Sequence, residues 1–309
     1  MDLKLMKTKN VYFIFSACMI LFSLFSIFTK GFNLGIDFTG GNIYQMKFEK
    51  PVSKEAMDKT LKNMAEKYPS LKSNKVQYSE GNTVLLRTQI ADEKEKTEVL
   101  EELKVQQGNY ELIKADAVGS VIGSELASNA IWSLALGSIL ILIYITIRFE
   151  WIYALSSVLA LLHDILVTLG FISFFRFEVD TPFIAAILTI LGYSMNDTIV
   201  IFDRIRENDH KYDGKKPFAE VIDESVNKVF LRSVYTSLTT LLALTALLIF
   251  GGSTLRTFNI TLLVGIVYGT YSSIWLASPL VYLMRRFKKP PKKKENNGKK
   301  DRSMEKVVV

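Results

Sequence analysis

Two carboxylates stand where a carboxylate is expensive. Asp164, in LALLHDILVTLG, and Asp197, in LTILGYSMNDTIVIF, each lie well inside an apolar run long enough to cross a bilayer. Counted from the run ends along a helix, each is ~20 Å in, within a hydrocarbon core of ~30 Å. An Asp at the centre of such a core costs about 2.5–3.5 kcal/mol, and its stem is too short to snorkel. Three chemistries can offset that: bonds to neighbouring helices, a polar path along which the carboxyl takes up protons, or metal coordination. The last is the poorest, because His163 and Asp164 point about 100° apart on a helix and make a weak chelate. His163 is instead a local partner for Asp164. Ser194, Asp197, Thr198 and Ile201 share one helix stripe, and Asn196 precedes the acid, so Asp197 sits on a partly polar face.

Other polar residues carry weaker signals. Arg232 stands just before the fifth apolar run, where it either snorkels to the interface or serves as counter-charge to Asp197. Asp203, Arg204, Arg206 and Glu207 follow the fourth run and read as an ion-pair cluster at the membrane boundary. Gly265 and Gly269 form a G-x-x-x-G pattern, which Ser273 extends by one more turn, and such a stripe lets another helix approach closely.

These residues must be positioned by membrane helices. The 309-residue chain is 49% hydrophobic, and its apolar residues are clustered rather than dispersed. Six runs are long enough to span, at about Val11–Phe28, Ala130–Ile147, Trp151–Phe175, Phe183–Phe202, Val234–Phe250 and Ile260–Met284. The first is too long for a signal-peptide core and has no small-residue cleavage site, so it reads as an uncleaved anchor. Lys and Arg collect in residues 1–10, between runs four and five, and from Arg285 onward. The positive-inside rule therefore predicts both termini cytoplasmic, in agreement with an even number of spans. The net charge of +7 is concentrated in the tail KKPPKKKENNGKKDR. Residues 285–309 read as a disordered segment suited to anionic lipid rather than nucleic acid, since no aromatic residue interleaves the lysines. Cys18 is the only cysteine, which excludes a disulfide framework or thiolate metal site.

Residues 29–125 form the one sizeable polar segment, extracytoplasmic in this topology. NIYQMKF (42–48) alternates as a strand, and SKEAMDKTLKNMAEKY (53–68) has a Ser cap and an apolar face, as a helix does. KVQYS (75–79) and TVLLRTQ (83–89) are strands joined by a Gly-containing turn at 80–82. DEKEKTEVLEELKVQQ (92–107) is a second helix and YELIKADAV (110–118) a last strand. The order β-α-β-β-α-β predicts a ferredoxin-like α+β domain. It has no phosphate loop and no His, so contact with another protein fits it better than chemistry. The fold class expected is a polytopic α-helical membrane protein with six transmembrane helices and this one outer domain. No H-E-x-x-H, G-x-S-x-G or nucleotide loop is present, so neither enzyme activity nor a cofactor is expected.

Several stretches together resemble the SecF family of protein translocase subunits. They are NLGIDFTGGNIYQM, VGSVIGSEL, HDILVTLG, EVDTPFIAAILTILGYSMNDTIVIFDRIREN, LRSVYTSLTTLLALTALLIFGG and FNITLLVGIVYGTYSSI, in order at the span edges from about residue 33 to 284. The resemblance implies one half of a twelve-span unit of the RND superfamily, completed by SecD. It implies export of preproteins across the bacterial cytoplasmic (inner) membrane, at a late stage powered by the proton-motive force. Implied partners are SecD, the SecYEG translocon, a YidC-type insertase and unfolded preproteins. The family's span-four acid falls on Asp197 and its span-five arginine on Arg232, with Asp164 a further participant. A complete RND exporter would need about twice as many spans. A non-coupling structural subunit, stabilising a partner transporter, is the rival, and it predicts that Asp197 and Arg232 matter only for assembly.

Overall fold

The computed structural model describes residues 3–72, 74–79, 82–89, 91–251 and 255–285. The basic tail from residue 286, and Glu80 and Gly81 of the expected hairpin turn, lie outside the described residues. Among the described residues, six helical segments are long and apolar enough to cross a membrane. They are α1 (Leu5–Lys30), α5 (Ser120–Arg148), α6 (Trp151–Phe174), α7 (Thr181–Tyr212), α8 (Phe218–Phe250), and a last one made of α9 (Arg256–Tyr271), a π-helical turn (Ser272–Ala277) and α10 (Ser278–Arg285).

Packing in α1 and along the apolar length of α8 inverts that of a water-soluble bundle, while α6, α7 and the last helix bury large apolar residues. Within the apolar length of α1 the buried residues are Ser16, Ser23 and Ser26, while Phe15, Leu21, Phe22 and Phe25 are exposed. In α8 the buried Ser225, Ser233 and Ser237 line the inside, whereas Leu231, Leu238 and Leu242 face out. Lipid supplies no hydrophobic drive between helices, so small residues that allow close approach take the inside. A Cβ on Gly170 of α6 would lie 2.3 Å from the Cβ of Ser23, which shows how close α1 and α6 are. A Cβ on Gly265 would lie 2.2 Å from Cδ1 of Ile190, and one on Gly269 3.1 Å from the Cβ of Ser194. The expected small-residue stripe therefore packs against α7.

Several helices outrun the apolar runs. The start of α8 at Phe218 precedes Val234 because Val221, Ile222, Ser225 and Val226 bury one face of an amphipathic stretch that is too polar to register as a span. Similarly α5 begins at Ser120, where Gly123 lets the helix touch backbone: a Cβ there would be 3.0 Å from the Gly40 nitrogen. At this bundle end and the opposite one the elements gather differently. The N terminus meets the start of α8, with Leu3 N–H and Met6 N–H donating to Asn227 and Asp223. Arg285 pairs with Asp209 at 2.8 Å at that same end.

The outer domain comprises β2 (Gly41–Phe48), α3 (Lys54–Met64), β3 (Lys75–Ser79), β4 (Thr83–Thr88), α4 (Glu93–Gln107) and β5 (Tyr110–Val118). The sheet order β3-β4-β2-β5 is antiparallel throughout, the ferredoxin-like arrangement. Ser53 and Asp92 cap the two helices, accepting from Ala56 N–H and Glu95 N–H. The first ends at Met64 rather than Tyr68, with residues 65–67 forming turns. Tyr44, Met46, Phe48, Val84 and Leu86 alternate onto one face of the sheet and bury against Met57, Leu61, Met64, Val99 and Leu103 of the helices. The opposite face, with Ile43, Leu85 and Arg87, looks onto a cleft of ≈ 1080 Å³ above the bundle.

Between α1 and the domain, the segment NLGIDFTGG carries β1 (Asn33–Leu34) and a short helix, α2 (Ile36–Thr39). The strand pairs in parallel with β6 (Glu178–Val179) in the α6–α7 turn. Gly41 has φ 134°, and a Cβ there would lie 2.5 Å from the Thr88 oxygen, so a side chain is excluded.

Candidate functional site

Both acids fall in one polar band across the middle of the bundle, but in unlike surroundings. Asp164 on α6 is wholly buried. Its Oδ2 accepts from Ser194 Oγ of α7 at 2.6 Å and from Ser272 Oγ of the π-helical turn at 2.7 Å. Its Oδ1 lies 3.0 Å from Nδ1 of His163. The nearly 100° offset between neighbours thus makes His163 a lateral partner, and its Nε2 is buried without a hydrogen bond. The π-helical turn lets consecutive serines serve two helices. Ser272 reaches Asp164, while Ser273 lies 2.8 Å from Thr198 Oγ1 and donates to the Ser194 carbonyl at 3.2 Å.

Asp197 is 5% exposed, yet its only side-chain hydrogen bond among the described residues is a long one, 3.5 Å from Ser237 Oγ of α8. That hydroxyl is also 2.6 Å from Thr270 Oγ1 of α9. Ser233, one turn earlier on α8, brings a second hydroxyl near Asp197, but it makes no hydrogen bond. Hydrogen bonds to a charged group contribute about 1.5–3 kcal/mol each. Three of them suffice to offset the insertion cost of Asp164; one weak bond does not do so for Asp197.

Arg232 is exposed on α8, with its charge near enough to act on Asp197, but no ion pair joins them among the described residues. Asn196 is exposed on the outer side of α7 and stands apart from the band. Of the expected boundary cluster, Arg204 pairs with Glu207 at 2.6 Å, while Asp203 reaches across to Arg148 of α5 at 3.1 Å. Residue types alone did not single out Ser237, Thr270 or Ser272. The spacing of Ser233 and Ser237, one turn apart on the same face of α8, was the available signal.

The chain matches the model of the family "Protein export membrane protein SecD/SecF, C-terminal" over residues 96–287, and that of the "SecD/SecF GG Motif" over residues 25–52. It is 91% identical to the protein translocase subunit SecF of Sebaldella termitidis across the full length of both chains. The chain belongs to the SecF family. The SecF of Haemophilus influenzae is 35% identical, over 93% of this chain and 88% of its own. The protein translocase subunit SecDF of Thermus thermophilus is 39% identical over 85% of this chain but 36% of its own length, so SecF here corresponds to one part of a longer fused protein. The crystal structure of the Thermus SecDF, described as a translocon-associated membrane protein, superposes with a TM-score of 0.84 over 93% of this chain and 39% of that one, at 36% identity. A SecDF in a super-membrane-facing form gives 0.64 over 92% of this chain and 38% of that one, at the same 36% identity. The SecF chain is thus a multi-pass membrane component of protein transport, and the fused relative implies SecD as its partner.

Proposed function

We propose that this SecF, together with SecD, uses the proton-motive force to promote late-stage export of preproteins across the cytoplasmic membrane, with Asp197 as the acid that takes up and releases the proton. The observation that carries this reading is the contrast within the polar band. Asp164 has three partners within 3.0 Å, whereas among the described residues Asp197 has one at 3.5 Å and lies in electrostatic reach of Arg232, which forms no ion pair there. A buried carboxylate without donors is stabilised by a proton, by water or by a cation. Protonation removes its attraction to Arg232 and changes the packing of α7 on α8. One charge crossing ~100 mV releases about 2.3 kcal/mol, which is enough to bias a two-state rearrangement. Ser194 belongs to the Asp164 hub, so Asp164 acts as an anchor for the band; Asn196, facing outward, meets the SecD half. Gly265, Gly269 and Ser273 keep α9 against α7.

The remaining assignments follow from the same reading. The end of the bundle holding Leu3, Asp209 and Arg285 is cytoplasmic, both termini with it, and the ferredoxin-like domain at 29–125 is extracytoplasmic. The bundle is one RND-type half, and its lipid-exposed α5 and α8 faces include the surface for SecD. The SecYEG translocon, a YidC-type insertase and emerging preproteins are the further partners, and the tail at 285–309 lies on anionic lipid.

The test is late-phase preprotein translocation into sealed vesicles containing SecD, with and without a proton gradient, after equal assembly is established. Asp197→Asn is expected to lose the gradient-dependent increment and keep the rest. Unchanged stimulation by that variant would make the chain a non-coupling structural subunit.

A further inference from the structure

Asp37 lies between α1 and the outer domain, far in sequence from the acids of the polar band, yet it acts on the helix that bears Asp197. Its Oδ2 accepts the backbone N–H of Thr181, the first residue of α7, at 2.9 Å. Asp180, the N-cap, accepts from Phe183 N–H at 2.9 Å. Two carboxylates from separate segments thus satisfy the free N–H groups of one helix start and complement its positive dipole end. Gly35 N–H donates to the Val179 carbonyl at 2.8 Å, and β1 pairs with β6. A Cβ at position 35 would lie 2.9 Å from Glu178 Oε1 and 3.2 Å from the Val179 carbonyl oxygen, so the two segments approach closely here.

The outer sheet grips the same turn. Arg87 of β4 forms an ion pair with Glu178 of β6, with side chains only 11% and 18% exposed. Lys75 of β3 donates to Asn33 Oδ1 at 2.9 Å, and Asn33 donates to the Arg176 carbonyl at 3.2 Å. An exposed ion pair holds little, but breaking one at this burial strands a charge. The sheet is therefore fastened to the α6–α7 turn, and the turn to α7.

We infer that Asp37 and Arg87 are positioning residues for energy coupling: they bind the ferredoxin-like domain and α7 into one mechanical body. A shift of α7 at Asp197, ~24 Å along one uninterrupted helix from Thr181, then displaces the sheet, and load on the sheet acts back on the acid. This rests on the reading of Asp197 as the proton-responsive acid.

The experiment is hydrogen exchange on the assembled SecD–SecF complex, comparing Asp197→Asn with its parent in three backgrounds: wild type, Arg87→Glu, and the charge swap Arg87→Glu/Glu178→Arg. In wild type, Asp197→Asn is expected to change protection in α7 and also in β2 and β4. With Arg87→Glu the change stops at the α7 start, and the swap restores its spread. Spread that persists with the pair broken overturns the inference, as does a wild-type background in which the sheet never responds. Should Arg87→Glu fail to assemble, Asp37→Ala replaces it, with loss of spread again the expected result. Export measured in parallel separates the two ideas. Asp197→Asn that keeps gradient-dependent export defeats the reading of Asp197, whereas its loss alongside retained spread in Arg87→Glu defeats only the mechanical link.

Discussion

Asp164 and Asp197 have the same chemistry and different neighbours, so substitution separates them. Ser272→Ala or Ser194→Ala leaves Asp164 one donor short in a buried site. Each is expected to lower stability by about 1.5–3 kcal/mol, measured by thermal unfolding of the detergent-solubilised protein. Ser237→Ala removes the 3.5 Å bond to Asp197 together with the 2.6 Å bond between neutral hydroxyls at Thr270, and should cost less, about 0.5–1.5 kcal/mol. A third carboxylate, Asp180, tests burial at the rim of the bundle. Burial, followed by the nearby charge of Asp37, pushes its carboxyl above the ordinary range, against the opposing pull of the Phe183 N–H and Arg87. A folded value above the unfolded one means its contribution is fully present below the unfolded value and is lost as pH rises through the folded one. Asn keeps the cap without the charge. The stability of Asp180→Asn relative to the parent should therefore improve between pH 4 and pH 7, and a difference independent of pH would exclude this account.

At the scale of elements, close approach through small residues organises the bundle, and two glycines predict different outcomes. Gly265→Ala meets the side chain of Ile190, whose Cδ1, Cγ1 and Cγ2 all lie within 2.9 Å of the new Cβ. Overpacking of this kind costs about 1–3 kcal/mol. Ile190→Ala removes the obstruction, so the double variant should be more stable than the sum of the singles predicts. Gly170→Ala instead meets the Cα of Ser23 at 2.4 Å. Backbone cannot be trimmed, and Ser23→Gly should leave most of the loss in place. A double-mutant cycle on thermal stability distinguishes the two. Much of this was legible beforehand: Gly265, Gly269 and Ser273 stood out by their spacing, and α5 to α9 by their apolar runs. The serine stripe of α1 did not stand out, because a few serines scarcely alter an apolar run, and which side faces lipid is decided by the neighbouring helix.

For the whole molecule, orientation is the property that charge predicts and labelling can check. In a Cys18→Ser background, Gln106→Cys on the outer domain should react with a membrane-impermeant thiol reagent added to intact cells. Lys211→Cys, near the α7–α8 connection, should react only after the membrane is opened. The reverse pattern would invert the topology and with it the direction of the proposed coupling. The match to SecDF over about two fifths of that chain gives the large exposed faces of α5 and α8 a physical reason. Faces so apolar belong against lipid or against the remaining helices of the unit.

The sequence by itself determined the six apolar spans, the β-α-β-β-α-β domain and the place of both acids along their helices, since these depend on local periodicity and on length along the chain. It also carried the family resemblance, in motifs whose order the chain preserves. Tertiary structure alone decided which acid has its hydrogen bonds satisfied, that Arg232 and Asn196 lie outside the band, and that Asp37 caps a helix 144 residues away. Those facts depend on which helices become neighbours and at what rotation. Period and hydropathy report how a residue faces its own helix axis; they carry no term for the side chain that arrives from the next one.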